Sequence, residues 1–394
     1  MKTITEKMET PVRYQADVLV AGGGFAGIAA ALAAARQGAD VLLCERMFSL
    51  GGLGTLGLIT IFLPLDDGLG RQVCFGICEE LARLCVKLCP KDTRGYRSWI
   101  LGVGEHNAQT QRFALDFNAQ IFMILAEQLL LENHVRLLYG TTIVGASCED
   151  GVLRSVMAEN KSGRFAIEAR AFVDCTGDAD LARITGIPVA SYTPGNKLAA
   201  WYYEAGRGGY SLNKLGVRDE AGKRYPELSS ERFFGLDGEE LTAQIIASHK
   251  VSMTDFLKKQ ASEPGLELAN IAQIPQIHRT RRICGAYTLD ESEVHRYFED
   301  SVGLIPDWRN RGPVFEVPFG TLYSPQLRNA FFAGRCISVT DAMWDVSRVI
   351  PCCAVTGEAA GIAAAMCADG RGSDLRGLQT RLRAAGGVIH EQEL

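Results

Sequence analysis

The sequence lacks several features that would assign it to common protein classes. None of its 394 residues lies in a run of 18 consecutive apolar residues, so we expect no membrane-spanning helix. The charged first 15 residues contain no apolar segment and therefore predict no secretory signal. A formal net charge of −5 without a long basic tract excludes the usual surface of a nucleic-acid-binding protein.

Cysteine is abundant, but the spacing typical of zinc ribbons and thioredoxin-like redox pairs is missing. None of the 12 cysteines lies in a C-x-x-C pair. Thiols without a secretory signal indicate a reducing compartment, so we predict a cytoplasmic protein. One helical segment carries Cys74, Cys78, Cys85 and Cys89. These four span too much of a helix to share one metal ion, so we expect them to pack in the core and predict no metal site.

The strongest signal is a dinucleotide-binding pattern near the N-terminus. An apolar strand is followed by Gly22, Gly24 and Gly27, an alanine-rich helical segment and a second apolar strand that ends at Glu45. The glycines permit a sharp exit from the strand, close approach of the backbone to a pyrophosphate and close packing of the helix on the sheet. This order of elements indicates a bound dinucleotide rather than a glycine-rich turn without a ligand.

Three further segments favour FAD over NAD as the dinucleotide. Each consists of small or charged residues that follow a predicted strand, and the last one leads into a small-residue helix. They contain Arg46, Gly51, Gly52 and Thr55, then Gly177 and Asp178, and finally Gly334 and Arg335 before a helix predicted to begin near Val355 or Thr356.

With these motifs the chain resembles the FAD-dependent oxidoreductases related to the flavoprotein subunits of succinate dehydrogenase and fumarate reductase, and more loosely thiazole synthase. The resemblance extends from Asp17 to about Leu382 and includes GGGFAG, VDCTGDADLA, FEVPFGTLY, AGRCIS and RVIPCCAVTGEAAG. It implies non-covalent FAD, because the histidine that bonds FAD covalently in succinate-dehydrogenase-type proteins has no counterpart at 53–57.

The resemblance also implies which residues hold the cofactor. The first glycine motif would flank the pyrophosphate and Glu45 the adenosine ribose. The helix beginning near Thr356 would direct its N-terminus at the flavin pyrimidine, where reduced flavin carries negative charge. The implied cofactor-binding residues are Gly22, Gly24, Phe25, Ala26, Gly27, Glu45, Arg46, Gly51, Gly52, Thr55, Gly177, Asp178, Gly334, Arg335, Val355 and Thr356.

The predicted fold class is α/β, with a Rossmann-like FAD-binding domain of the glutathione-reductase type. A three-stranded β-meander is expected before the last core strand. Residues 1–185 and 328–394 would form this domain, and residues 186–327 would form an inserted α+β substrate domain over the flavin. Within the insertion we predict a helix over 227–260 and a strand or strand pair within 274–289.

Four residues are candidates for chemistry on the substrate: Arg348, Arg281, His278 and Cys352. Arg348 would hold a substrate carboxylate, or else form a structural ion pair with a nearby aspartate. Arg281 would point either into the pocket or away from it, and His278 would be an acid or base, or a packed residue. Cys352, with its neighbour Cys353, would be redox-active or would simply fit a crowded loop.

These patterns together predict an FAD-dependent oxidoreductase that transfers a hydride between flavin N5 and a small polar substrate. The second glycine pattern, Gly52-x-Gly54-x-x-Gly57, has no strand before it, so we predict no nicotinamide domain. The partners would be a small-molecule substrate and an electron donor or acceptor that the sequence does not identify, and a homo-oligomer is compatible with the sequence. The alternatives are a thiazole-synthase-like protein with a sacrificial cysteine and a non-redox dinucleotide-binding protein.

Overall fold

The described part of the chain alternates strands and helices around a mixed β-sheet. The structure is a computed structural model and describes residues 2–89, 96–102, 113–216, 227–371 and 374–394. Its strands are β1 (Val12–Ala21), β2 (Val41–Cys44), β3 (Ile61–Phe62), β4 (Leu115–Asp116), β5 (Arg136–Leu138), β6 (Thr142–Glu149), β7 (Val152–Asn160), β8 (Gly163–Asp174), β9 (Val189–Ser191), β10 (Ala200–Gly206), β11 (Gly209–Leu215), β12 (Glu267–Ile271), β13 (Arg281–Ile283), β14 (Ser301–Pro306), β15 (Val314–Pro318) and β16 (Ala330–Phe332). Its helices are α1 (Phe25–Arg36), α2 (Ile77–Val86), α3 (Arg97–Ile100), α4 (Ala119–Glu132), α5 (Asp180–Thr185), α6 (Gly238–Ser262), α7 (Asp341–Ser347), α8 (Ile350–Ala368) and α9 (Leu375–Ala384).

Seven of the described strands form the main sheet, in the order β5-β2-β1-β8-β7-β6 with β16 also paired to β8. Strands β5, β2, β1, β8 and β16 pair in parallel, whereas β6 and β7 add an antiparallel meander. The predicted Rossmann-like sheet with its meander is therefore confirmed. The third meander strand and the following core strand are one continuous strand, β8, whose first half pairs with β7 and whose last residues pair with β16.

Helices α1 and α8 approach each other closely on one face of this sheet. A Cβ atom on Gly357 would lie 2.3 Å from the carbonyl oxygen of Ala26, and one on Gly361 would lie 2.2 Å from that of Ala30. No larger side chain fits at these crossings, which accounts for the small residues in both helices. Helix α8 is long and apolar enough to cross a membrane, but 94% of it is buried, as in a core helix of a folded domain.

A second layer of structure comes from the chain between β9 and β15. Strand β10 is central to the antiparallel sheet β11-β10-β12, and α6 packs on it. The helix predicted over 227–260 begins only after Asp237, because the Asp237 carboxylate caps it by accepting a 2.9 Å hydrogen bond from the Glu240 N–H. The strand predicted within 274–289 is limited to β13, which pairs with β9.

The two layers share a hydrophobic core. Leu304 and Phe315, from the hairpin of β14 and β15, belong to the same buried cluster as Ile28 of α1 and Ile362 of α8. The hairpin therefore packs directly behind α8, although it lies within the segment predicted as the inserted substrate domain. This arrangement leaves a cavity between the main sheet and the second layer.

Candidate active site

A cavity of about 870 Å³ opens where the parallel strands end. Gly22 follows β1, Glu45 follows β2, Cys175 follows β8 and Ala333 follows β16, and all four residues line it. The opposite side of the cavity is lined by residues from β10, β11 and α6. Ligands of open α/β sheets bind in this crevice at the carboxyl ends of the strands.

The first glycine motif forms a tight turn that leaves one face open. A Cβ atom on Gly27 would lie 1.8 Å from the Gly22 carbonyl oxygen, and Gly22 itself has a φ of +98°. Gly24 lines the cavity, and a Cβ atom there would meet no protein atom within 4 Å. Phe25 and Ala26 begin α1 and also line the cavity, which places the N-terminus of this helix beside that open space. Gly27 is enclosed by the turn and does not line the cavity.

Glu45 is held in place at the cavity by backbone donors. It is only 8% exposed, and its carboxylate accepts hydrogen bonds from the N–H groups of Gly23 at 2.6 Å and Met47 at 2.8 Å. Each carboxylate oxygen keeps a further lone pair, so Glu45 remains able to accept hydrogen bonds from ligand hydroxyls. Arg46 lines the cavity beside it.

A second loop packs against the first glycine turn. Gly51 donates a 2.8 Å backbone hydrogen bond to Gly23, and both Gly51 and Gly52 line the cavity. The predicted role of Thr55 needs correction, because this residue is 1% exposed and lies outside the cavity lining. Its hydroxyl donates to the Leu50 carbonyl at 2.6 Å, so Thr55 shapes the loop from behind.

Gly177, Asp178 and Arg335 form a third group of cavity residues. The Arg335 guanidinium lies 3.6 Å from the Asp178 carboxylate and donates to the carbonyl of His278 at 2.9 Å. A Cβ atom on Gly177 would lie 2.3 Å from the same guanidinium, so only glycine allows Arg335 to lie flat there. Gly334 lines the cavity next to Arg335.

The predicted start of the last core helix was wrong. Helix α8 begins at Ile350, and Pro351 lies in its first turn, where proline is well tolerated. Val355 and Thr356 therefore lie within the helix and do not line the cavity. The Thr356 hydroxyl accepts a 3.0 Å hydrogen bond from the Gly334 N–H and so positions that loop. The helix start itself contributes the lining residues Val349, Ile350 and Cys353.

His278 lines the cavity, and one nitrogen of its ring has no hydrogen-bond partner among the described residues. This nitrogen, Nε2, is enclosed by protein. Burial and the positive charges of Arg348, Arg335 and Arg279 hold the pKa of His278 well below its usual value. The ring is therefore neutral near pH 7 and accepts or donates a hydrogen bond without carrying a charge.

Arg348 lines the cavity and is also ion-paired. Its guanidinium lies 2.9 Å from the Asp345 carboxylate and 5.4 Å from the ring centre of Trp308. Arg279 and Arg309 each lie 3.9 Å from the same aspartate. The structural and the substrate-binding hypotheses for Arg348 are therefore compatible, because its pair with Asp345 uses only Nε and one terminal nitrogen and leaves other N–H donors for a ligand.

Two other catalytic candidates lie outside the cavity lining. Arg281 is 7% exposed and donates to the Asp178 carbonyl at 2.9 Å and to the Asp180 carboxylate at 2.8 Å. Cys352 is fully buried and points its thiol at the Val346 carbonyl at 3.5 Å. Neither reaches the cavity, so both are corrected to structural residues, since β13 and the first turn of α8 turn these side chains away from it.

Cys353 is the member of the cysteine pair that does line the cavity. Burial raises the pKa of its thiol to about 11 despite the nearby Arg335 and Arg348. Burial likewise raises the pKa of the Cys175 thiol, which also lines the cavity. Both thiols are therefore protonated near pH 7 and are poor nucleophiles.

Sequence reasoning missed the side of the cavity that faces the main sheet. We call this surface the apolar wall, and it includes residues from the loop around β3, from β10, from α6 and from the loop after β14. The only sequence signal for it was the aromatic character of the segment around Trp201. The wall consists of Ile59, Ile61, Trp201, Leu241, Ile245 and Trp308.

A family model described as FAD dependent oxidoreductase matches residues 17–200 and 191–382. The chain belongs to the FAD-dependent oxidoreductase family. No curated protein sequence matches the chain. The family assignment confirms the resemblance seen in the motifs and establishes FAD as the cofactor of an oxidoreductase enzyme.

Solved flavoprotein structures are similar to this FAD-dependent oxidoreductase over most of its length. One is a geranylgeranyl bacteriochlorophyll reductase-like protein from Thermoplasma acidophilum, with 11% identity, 94% of this chain and 83% of that chain covered, and a TM-score of 0.43. A 3-ketosteroid-delta4-(5alpha)-dehydrogenase from Rhodococcus jostii has 15% identity, coverages of 90% and 98%, and a TM-score of 0.42. A p-nitrophenol 4-monooxygenase from Pseudomonas putida has 11% identity, coverages of 95% and 84%, and a TM-score of 0.46.

The residues at the sheet end of the cavity fit FAD. The open space at Gly24 would hold a pyrophosphate next to the α1 N-terminus, and the anchored Glu45 carboxylate would accept hydrogen bonds from ribose hydroxyls. Asp178 and Arg335 supply the polar groups that follow along the cavity. Of the sixteen residues implied by the resemblance, twelve line it, and the exceptions are Gly27, Thr55, Val355 and Thr356.

Proposed function

We propose that this enzyme transfers a hydride between FAD and an organic substrate bound at the His278 and Arg348 end of the cavity. The observation that carries the proposal is the continuity of the cavity. One continuous cavity is lined by Gly24 and Glu45 and also by His278, Arg348 and the apolar wall. Bound FAD supplies hydride chemistry at flavin N5, and the protein positions the substrate and handles the accompanying proton.

His278 is the residue best suited to the proton. Its ring is neutral near pH 7, because burial and three arginines oppose its protonation. A neutral imidazole accepts a proton from a substrate hydroxyl or amine as that group is oxidised, and returns it in the reverse direction, through the ring nitrogen that is not enclosed. The charges of Arg335 and Arg348 then favour release of this proton rather than its retention.

Arg348 is suited to orienting the substrate. Its ion pair with Asp345 and its position over the Trp308 ring hold the guanidinium at the lining. A fixed guanidinium binds an anionic or carbonyl oxygen without first having to be ordered, which favours one orientation of the substrate. This role differs from that of His278, since Arg348 stays charged throughout.

Non-covalent attachment of FAD follows from the same lining. Among the described lining residues, the thiols of Cys175 and Cys353 are protonated near pH 7, and His278 lies beside the arginines that we assign to the substrate end. The protonated thiols also argue against a sacrificial cysteine, and so against a thiazole-synthase-like reaction. The twelve free cysteines fit a reducing compartment such as the cytoplasm.

An absorption spectrum of the purified protein, repeated on the supernatant after acid precipitation, tests the cofactor part of the proposal. We expect two flavin bands that move to the supernatant, because we propose that FAD is bound non-covalently. Anaerobic bleaching of these bands by candidate substrates then tests hydride transfer. Bands that stay in the pellet would contradict non-covalent binding, and binding of substrates that never bleach the flavin would contradict hydride transfer.

A further inference from the structure

The substrate end of the cavity has an unusual balance of apolar and charged groups. The apolar wall contributes two indole rings and four aliphatic side chains. Lys214 and Arg348 lie on the same lining, and outside the implied cofactor-binding residues no described lining residue is a carboxylate. A small hydrophilic molecule would leave the apolar wall in contact with water, and a cation would be repelled by the two positive charges.

The guanidinium groups at this end are paired with carboxylates behind the lining. Asp345 lies within 3.9 Å of Arg279, Arg309 and Arg348. Asp307 and Glu291 add two further carboxylates, 3.0 Å and 3.2 Å from Arg309. These carboxylates lie outside the lining, so the charges that a ligand meets on this side of the cavity are the cations Arg348 and Lys214.

Two enclosed polar atoms at the lining have no hydrogen-bond partner among the described residues. They are Nε2 of His278 and Nε1 of Trp201. Both atoms are enclosed by protein and do not face the cavity, so a polar group of the ligand meets the cationic side chains of the lining instead. The Lys214 ammonium lies 5.7 Å from the Trp201 ring centre, which brings a positive charge directly beside the apolar wall.

We propose that the substrate is an organic acid with an aromatic or branched aliphatic body. The body lies on the apolar wall, and the acid group faces the cationic lining. This inference rests on the proposed hydride transfer at the same site, and it replaces the small polar substrate expected from the sequence.

Calorimetric titration of the oxidised, FAD-loaded enzyme near neutral pH tests the substrate class without requiring turnover. The probes are phenylacetate, indole-3-acetate and 4-methylpentanoate, compared with acetate and with phenylacetamide. We expect at least one of the three larger acids to bind about tenfold or more tightly than acetate, because it covers the apolar wall. We also expect phenylacetate to bind more tightly than its neutral amide, and salt to weaken the binding of the acids.

A pair of neighbouring variants on α6 locates the binding site. Ile245 lines the cavity, whereas Ile246 is 61% exposed. Ile245→Asn should weaken binding of the larger acids about tenfold and leave acetate unchanged, and Ile246→Asn should change neither. Equal effects of the two variants, acids no tighter than acetate, or an amide as tight as its acid would each overturn the inference. Acids that bind as expected but never bleach the flavin would instead contradict hydride transfer and leave the substrate class standing.

Discussion

The two ends of the cavity are built in different ways. The FAD end is formed mainly by the backbone. The glycine turn at Gly22–Gly27 and the α1 N-terminus line it, and backbone N–H groups fix the Glu45 carboxylate. At the substrate end side chains from distant segments converge, and His278 and Trp201 each keep a polar atom without a partner in the described part of the chain. The first end therefore depends on backbone conformation, and the second depends on which side chains the packing brings together.

Gly24→Val gives the largest expected effect, because it tests the backbone-built end directly. A side chain at Gly24 meets no protein atom within 4 Å, and its φ of −68° is accessible to any residue, so the fold should be unaffected. The side chain would instead occupy the space assigned to the pyrophosphate and reduce FAD retention below about a tenth of the wild-type content. The ratio of flavin to protein absorbance measures this, with the melting temperature as a check on folding.

Gly238→Ala is the matched control, since its Cβ also meets no protein atom but lies on the exposed start of α6. It should retain full flavin content. Gly27→Ala should behave differently from both, because its Cβ would lie 1.8 Å from the Gly22 oxygen and distort the turn itself. A Gly24→Val protein with full flavin content would mean that the cofactor does not approach this turn.

His278→Gln tests the side-chain-built end. Loss of a general base typically lowers the rate by about 10²–10⁴-fold, while FAD content should stay at the wild-type level. The rate of anaerobic flavin reduction by a bleaching substrate measures this loss. Because the pKa of His278 lies well below 6.5, the wild-type rate should be level through neutral pH and fall only in acid. A rate that rises through pH 7 to 8 would exclude His278 as the base.

Arg348→Ala should have a smaller effect, expressed mainly in substrate affinity. Loss of one charged group that binds the substrate typically costs about 2–5 kcal/mol of binding free energy, so kcat/KM should fall at least about thirtyfold. The fold should persist, because Asp345 keeps Arg279 and Arg309 as partners. The exposed Arg371, paired with Asp369, provides the control substitution Arg371→Ala. Unchanged kcat/KM in Arg348→Ala would mean that this guanidinium serves the ion pair alone.

The contrast between the two ends also explains what could be predicted from the sequence. The β1–α1–β2 unit and the meander follow from patterns within short segments, where neighbouring residues specify backbone geometry. The cofactor residues were implied by the family resemblance, and twelve of them line the cavity. The start of α8 was missed because Pro351 resembles a helix break, although proline suits a first turn. The apolar wall was missed because Ile61, Trp201 and Ile245 meet only through tertiary packing, which no local pattern records.

Glu358→Gln has the smallest expected effect on the cavity. It tests the stability of the fold without changing either end of the cavity. Glu358 lies in α8, is 3% exposed, and accepts a 3.0 Å hydrogen bond from the N–H of Ile77 at the start of α2. Burial raises the pKa of this carboxyl to about 8, with Arg36 opposing the shift and Glu80 adding to it. Since the folded state binds this proton more tightly than the unfolded chain, stability decreases as pH rises from the unfolded pKa and levels off above pH 8.

The wild-type protein should therefore lose about 3 kcal/mol between pH 6 and pH 9 through this carboxyl, a shift of a few degrees in melting temperature. Glutamine keeps the hydrogen bond from Ile77 but has no proton to lose, so the variant should be less sensitive to pH and more stable than wild type at pH 9. Glu149→Gln, at an exposed ion pair with Arg154, is the control and should follow the wild-type curve. Flavin content and substrate affinity should match wild type in both variants, because neither side chain lines the cavity. If Glu358→Gln and Glu149→Gln showed the same pH dependence, the buried carboxyl would be ionised in the folded protein. The hydrogen bond that joins α8 to the start of α2 would then be accepted by a charged carboxylate.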